Sequence, residues 1–203
     1  MARTAAPGSR ERILDTAAAL FYRYGVRAVG MNQVIDAAGC GKNLLYTHFP
    51  SKDDLVAAYL QARRRDRERS AAAAADRVSG DDPAAPLLAL VGEIATTVGR
   101  PEFRGCPFRM YLTEFPEDEG EPARVARDYL RDSRAEIDRL VARLGVTEPD
   151  QLANRVWLIV EGLYGSAGRV DPAAAADAAT HLVRDLVATA RTGPTATSGA
   201  RGH

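Results

Sequence analysis

Apolar residues return every three or four positions along most of this chain and show no sustained alternation, so the pattern predicts helices and no strands. Ile13, Leu14, Ala17, Leu20 and Phe21 mark a first helix that ends near Tyr24 and Gly25. Ser9 is placed to cap it, with Glu11 in the first turn, where the helix dipole favours negative charge. Met31, Val34, Ile35 and Ala38 repeat the period on a second helix, and Leu45 and Phe49 close a three-helix core from a third, which Pro50 terminates. Ser51 and Asp54 stand at capping-box spacing and open a fourth helix with Leu55, Ala58, Tyr59 and Ala62. It continues through RRRDRER and the alanine-rich 71–75 stretch and stops around 79–83, long enough to act as a lever.

Leu87 to Val98 forms another apolar helix. The segment GRPEFRGCPFRMYLTEFPEDEGEP is rich in Pro and Gly; it should hold one short helix near 109–114 and an exposed acidic loop at 117–121. From Pro122 to Leu144 a helix buries Val125, Tyr129, Ile137, Leu140, Val141 and Leu144. The helix over 149–167 contains RVWLIVEGLYGSAG, too apolar for a surface, and the last, over 171–190, places Leu182, Leu186 and Val187 inside. From Gly193 the composition is that of a flexible tail. The fold class is all-α, with about nine helices.

Met31 to Lys52, MNQVIDAAGCGKNLLYTHFPSK, has a division of faces that bears on function. Leu45 and Phe49, four apart, share one face of the third helix, while Asn43, Tyr46 and Thr47 project elsewhere. Helix, glycine-containing turn and helix is the pattern of a motif whose second helix enters the DNA major groove.

Overall charge says nothing of such a partner, since Lys plus Arg and Asp plus Glu are 27 each. Its distribution does. Between Met1 and Lys52 stand Arg3, Arg10, Arg12, Arg23, Arg27, Lys42 and Lys52 against Glu11, Asp15 and Asp36, so a basic first quarter precedes an acidic remainder. No stretch approaches the roughly 20 apolar residues of a membrane helix and the start lacks an apolar signal segment, so a cytoplasmic location is expected. Cys40 and Cys106 are widely separated and imply neither a disulfide framework nor a zinc site; no cofactor is expected. With only His48, His181 and His203, and no HExxH or phosphate-binding glycine loop, enzyme chemistry is not indicated.

The run GCGKNLLYTHFPSKDDLVAAYL, preceded by RERILDTAAALFYRYGV and MNQVIDAAG, resembles the amino-terminal domain of the tetracycline-repressor (TetR) family of bacterial transcriptional regulators over roughly residues 9–60. The resemblance implies a helix-turn-helix head at 1–52, a ligand-binding and dimerising body at 53–192, and a tail at 193–203. By position, Lys42, Asn43, Leu44, Tyr46, Thr47 and His48 look like recognition-helix residues facing a double-stranded operator, and Lys52 like a phosphate contact. Asn43 can bond adenine through two atoms, and the Thr47 methyl can meet a thymine methyl. Leu44 either packs against thymine methyls and sugars or tucks into the head's core; His48 either reaches a phosphate or caps locally. Gly41 opens the third helix where the family commonly has serine, and Val29-Gly30 precede the second where it commonly has a hydroxyl.

In the body, aromatic and polar residues alternate at Cys106, Phe108, Arg109, Tyr111, Leu112 and Glu114, and again at Trp157, Glu161 and Tyr164, the expected lining of a cavity for a small-molecule effector. Glu161 either binds a cationic or hydroxylated ligand or pairs with an arginine. Ala153, Leu158, Gly162, Gly165 and Ser166, with the 173–179 alanines, suit a homodimer interface through the last two helices. The expected function is a ligand-released repressor; the alternatives are a sensor using oxidation of Cys40, a helical enzyme and a scaffold that binds no DNA.

Overall fold

A computed structural model describes residues 8–78, 80–166 and 171–192. The tail expected at 193–203 lies outside them. Among the described residues there are nine helices and no strand: α1 (Ser9–Tyr24), α2 (Met31–Ala38), α3 (Lys42–His48), α4 (Lys52–Asp76), α5 (Ala85–Val98), α6 (Pro107–Glu114), α7 (Glu121–Ala142), α8 (Pro149–Ser166) and α9 (Pro172–Thr192). No helix among them is long and apolar enough to cross a membrane.

The chain divides into two compact units. The first comprises Met1–Ser70 and Arg104–Asp132, the second Ala71–Phe103 and Ser133–His203. In the first unit α1, α2 and α3 pack around Ile13, Ala17, Phe21, Val34, Leu45 and Phe49, all buried. The start of α4 adds Leu55 and Tyr59, whose ring lies 5.6 Å from that of Phe21. Phe108 of α6, fully buried, stacks on Tyr129 of α7 at 3.7 Å.

In the second unit α9 packs against α5 and α8. Its core is aliphatic: Leu87, Val91 and Ile94 from α5, Ile137 and Val141 from α7, Leu152, Val156 and Val160 from α8, and Val183 and Val187 from α9. One leucine departs from the expected pattern: Leu182 of α9, expected inside, is 53% exposed; Leu158 of α8, expected at an interface between copies, is 69% exposed. Ala153, expected at an interface between copies, is buried within this core instead.

Candidate nucleic-acid interface

The turn between α2 and α3 follows from two glycines. Gly39 adopts φ 58°, a left-handed conformation that costs little only without a Cβ, and ends α2 through its N–H to Asp36 and the Cys40 N–H to Ile35. Gly41, in an extended conformation, starts α3 with its carbonyl accepting the Leu44 and Leu45 N–H groups; no side chain caps this helix. At α2 the Gly30 N–H donates to Gln33 Oε1 at 2.7 Å, half of a capping box in which glycine cannot return the bond.

On α3, Leu45 and Phe49 are buried at 0% and 1%, while Lys42, Asn43, Tyr46 and Thr47 are exposed. Leu44 and His48 are half-buried. The Thr47 hydroxyl donates to the Asn43 carbonyl at 2.7 Å, so its hydrogen is spent within the helix. Lys42 Nζ lies 6.0 Å from the Tyr46 ring centre, the outer reach of a cation–π contact. His48 Nε2 is 2.9 Å from Ser9 Oγ, and Ser9 is buried as the first residue of α1 rather than its cap. The serine read as a cap therefore ties α1 to α3. Arg10, noted in the sequence only as part of the basic count, has its guanidinium 4.9 Å over Phe49, which fixes a positive charge beside the end of α3.

The start of α4 is capped as its spacing predicts. Asp54 Oδ2 accepts from the Ser51 N–H at 3.0 Å and from its hydroxyl at 2.7 Å, and Ser51 Oγ accepts the Asp54 N–H at 3.1 Å. Lys52 follows the cap and is half-buried. Burial lowers its pKa below the ordinary value; nearby Asp53 and Glu114 oppose that shift and Arg27 adds to it.

The residues expected to line a ligand cavity fall into two groups. Six belong to the first unit. Cys106 is buried at the start of α6 with Arg109 Nη1 3.4 Å from its sulfur, and Phe108 is stacked as described. Tyr111 is buried, stacks on Phe115 at 4.9 Å and donates its hydroxyl to Asp118 at 2.7 Å. Burial and this bond raise the tyrosine pKa, and the bond lowers that of Asp118, which also accepts the Gly120 N–H. Leu112 is half-buried. Glu114 is committed to backbone: its carboxylate accepts the Val26 and Arg27 N–H groups. Nothing in the sequence pattern pairs Glu114 with the α1–α2 turn, because the partners lie 88 and 87 residues apart.

Trp157, Glu161 and Tyr164 belong to α8 in the second unit, all half-buried, with the Tyr164 ring 6.2 Å from that of Phe103. A separate open groove of about 460 Å³ in this unit lies among Val146, Gln151, Leu152, Arg155, Leu186 and Thr189; it includes none of the nine expected ligand residues. Both cysteines are free, Cys106 buried and Cys40 half-buried. Among the described residues no cluster of His, Cys, Asp and Glu could hold a metal ion.

Residues 13–59 match the family model described as bacterial regulatory proteins, tetR family. An HTH-type transcriptional regulator of Mycobacterium tuberculosis is 42% identical over 60 residues, covering 29% of this chain and 30% of its own length. The chain thus matches about a third of the length of that curated relative. Among solved structures, a TetR-type transcriptional regulator from Streptomyces avermitilis is 32% identical, covers 90% of this chain and 97% of its own, and superposes with a TM-score of 0.68. A TetR-family regulator from Streptomyces coelicolor, 24% identical, shares the fold with a TM-score of 0.84 over 90% of this chain and 96% of its own.

Proposed function

This chain belongs to the TetR family of bacterial transcriptional regulators, and from that premise we propose that it is a repressor that binds a palindromic operator as a homodimer and is released by a small-molecule effector. The observation that carries the reading is α3, held by Leu45 and Phe49 while Lys42, Asn43, Tyr46 and Thr47 stand exposed along it. In this assignment residues 1–52 read DNA and residues 53–192 bind the effector and pair the subunits.

Phosphate contacts set position and base edges set preference. Lys42, Tyr46 and Lys52 take the first role, and Asn43, with the Thr47 methyl, the second. Leu44, half-buried, reaches thymine methyls or sugars with its outer edge. His48 serves mainly by holding α3 against Ser9.

The dimer face is assigned to the exposed side of α8 and α9. Leu158, Gly162 and Gly165 lie on one stripe of α8, all exposed, and Ala178 and Leu182 on one of α9. Burying two exposed leucines on each subunit supplies part of the driving force, and the glycines allow close approach of helices. The effector contacts are assigned to Trp157, Glu161 and Tyr164, which combine aromatic surface with a carboxylate suited to a cationic or hydroxylated molecule. An effector that prefers the form with misplaced heads lowers operator affinity by its differential affinity for the two forms.

Selecting bound duplexes from a random DNA pool tests this. The expected product is a twofold-symmetric site with half-sites separated by about one helical turn, roughly 34 Å, or a multiple of it. A pool with no enriched sequence contradicts the reading.

A further inference from the structure

Helix α6 is fastened to the DNA-reading head at both ends. At its start, Tyr22 of α1 accepts the Arg104 N–H at 2.8 Å through its hydroxyl, which donates to the Gly105 carbonyl at 3.3 Å. At its end, the Glu114 carboxylate accepts the Val26 N–H at 3.3 Å and the Arg27 N–H at 2.7 Å. The Arg27 guanidinium donates back to the Glu114 carbonyl and lies 4.6 Å over the Phe115 ring.

Gly25 is part of the second fastening. Its φ is +86°, and a Cβ there would stand 2.8 Å from Glu114 Oε1, so a side chain would strain the backbone and crowd the carboxylate. Val26 and Arg27 lie in the short turn that carries α1 into α2, and α2 with its glycine turn aims α3. A carboxylate accepting backbone N–H groups makes a charge-assisted bond, stronger than one between neutral partners. Eight residues of helix span about 12 Å, so the two fastenings are well separated. A helix held at one end can pivot; one held at both cannot.

We propose that Glu114 and Tyr22 are positioning residues for operator binding: through α6 they brace the end of α1 and the turn into α2, and so hold α3 at the angle that meets the major groove. The proposal rests on the operator-binding reading above. It also runs against simple electrostatics. Glu114 lies close enough to favour the charged form of Lys52, a proposed phosphate contact. Removing its negative charge would, on charge alone, strengthen DNA binding. Bracing predicts the opposite sign.

The duplex selected from the random pool is titrated by fluorescence anisotropy with wild type, Glu114→Gln, Tyr22→Phe and the double variant, all well below their unfolding midpoints. Exchange of the Val26 and Arg27 amide hydrogens is followed in parallel. In the wild type both amides are protected, and in Glu114→Gln they exchange faster. Each single variant binds the operator about tenfold more weakly, with the salt dependence unchanged because no phosphate contact is lost. The double variant loses less than the product of the single losses, since freeing either end already lets α6 swing. A Glu114→Gln protein whose amides have lost protection but which binds within about twofold of wild type, or more tightly, overturns the proposal. Wild-type binding with all variants unaffected overturns this proposal alone. A wild type that enriches no DNA overturns the operator-binding reading and this proposal with it.

Discussion

Ser9, the first residue of α1, and His48, the last of α3, meet at 2.9 Å between Oγ and Nε2, across 39 positions of chain. Ser9 is buried, and the imidazole is the hydrogen-bond partner of its hydroxyl. This makes His48 a tie for the recognition helix before it is anything else. Ser9→Ala and His48→Ala should each cost about 1 kcal/mol of unfolding free energy in urea. Both should weaken operator binding with the salt slope unchanged. If His48→Ala alone reduced that slope by about 0.9 per head, the histidine would be a phosphate contact instead.

Thr47 separates two kinds of contact on one side chain. Its hydroxyl hydrogen is donated to the Asn43 carbonyl, which leaves the methyl, and the oxygen only as an acceptor, for the proposed DNA contact. Thr47→Val, which keeps the methyl, should leave operator affinity nearly unchanged. Thr47→Ser, which removes it, should cost about 0.8 kcal/mol, roughly fourfold, and relax preference at one thymine. Competition titrations with duplexes altered at single positions measure both. A loss in Thr47→Val with none in Thr47→Ser would assign the contact to the hydroxyl.

If Lys52 meets a phosphate as proposed, operator binding acquires a pH dependence. Burial holds its pKa below the ordinary 10.5, so in the free protein the ammonium loses its proton earlier than an exposed lysine. A DNA phosphate beside it favours the charged form and raises the pKa. Binding therefore takes up a proton between the free and bound values, and affinity falls as pH rises through that window. For the protein alone the sign is opposite: the unfolded chain binds more protons between the lowered value and 10.5, so this group's contribution to stability rises with pH there. Lys52→Arg should keep binding strength and remove this alkaline fall. Identical pH profiles for wild type and Lys52→Arg would exclude Lys52 from the interface.

Leu158 and Leu182 test the proposed dimer. Replacing either with Glu places a charge at a position already exposed in one chain, so helix content by circular dichroism should be retained. Sedimentation equilibrium should show the dimer giving way to monomer, and operator affinity should drop by about a hundredfold or more. A dimer of undiminished stability in both variants would place the interface elsewhere.

Local chemistry made most of the helices legible. Ser51 and Asp54 cap α4 as their spacing predicts, and the four-residue step from Leu45 to Phe49 correctly separates the inner side of α3 from Lys42, Asn43, Tyr46 and Thr47. What failed depends on partners distant in sequence. Ser9 has the composition of a cap, yet its hydroxyl is claimed by a histidine on another helix. Glu114 sits among aromatic residues, the pattern of a ligand group, yet each of its carboxylate oxygens accepts a backbone N–H from the α1–α2 turn. Leu182 follows the apolar period faithfully and is still exposed, since periodicity marks a face for burial without saying whether the same chain or a second copy covers it. Leu158, expected at an interface between copies, is exposed in the single chain.

The proposed reading of a DNA major groove by α3 is tested by comparing affinity for the selected operator with that for a scrambled duplex of equal length across a series of salt concentrations. Operator binding should be tighter by about a thousandfold or more. Log affinity should fall linearly with log salt by about 0.9 for each neutralised phosphate, and Asn43→Ala should narrow the gap between the two duplexes by about 1–3 kcal/mol. Equal affinity for the two duplexes, or binding indifferent to salt, would contradict that reading.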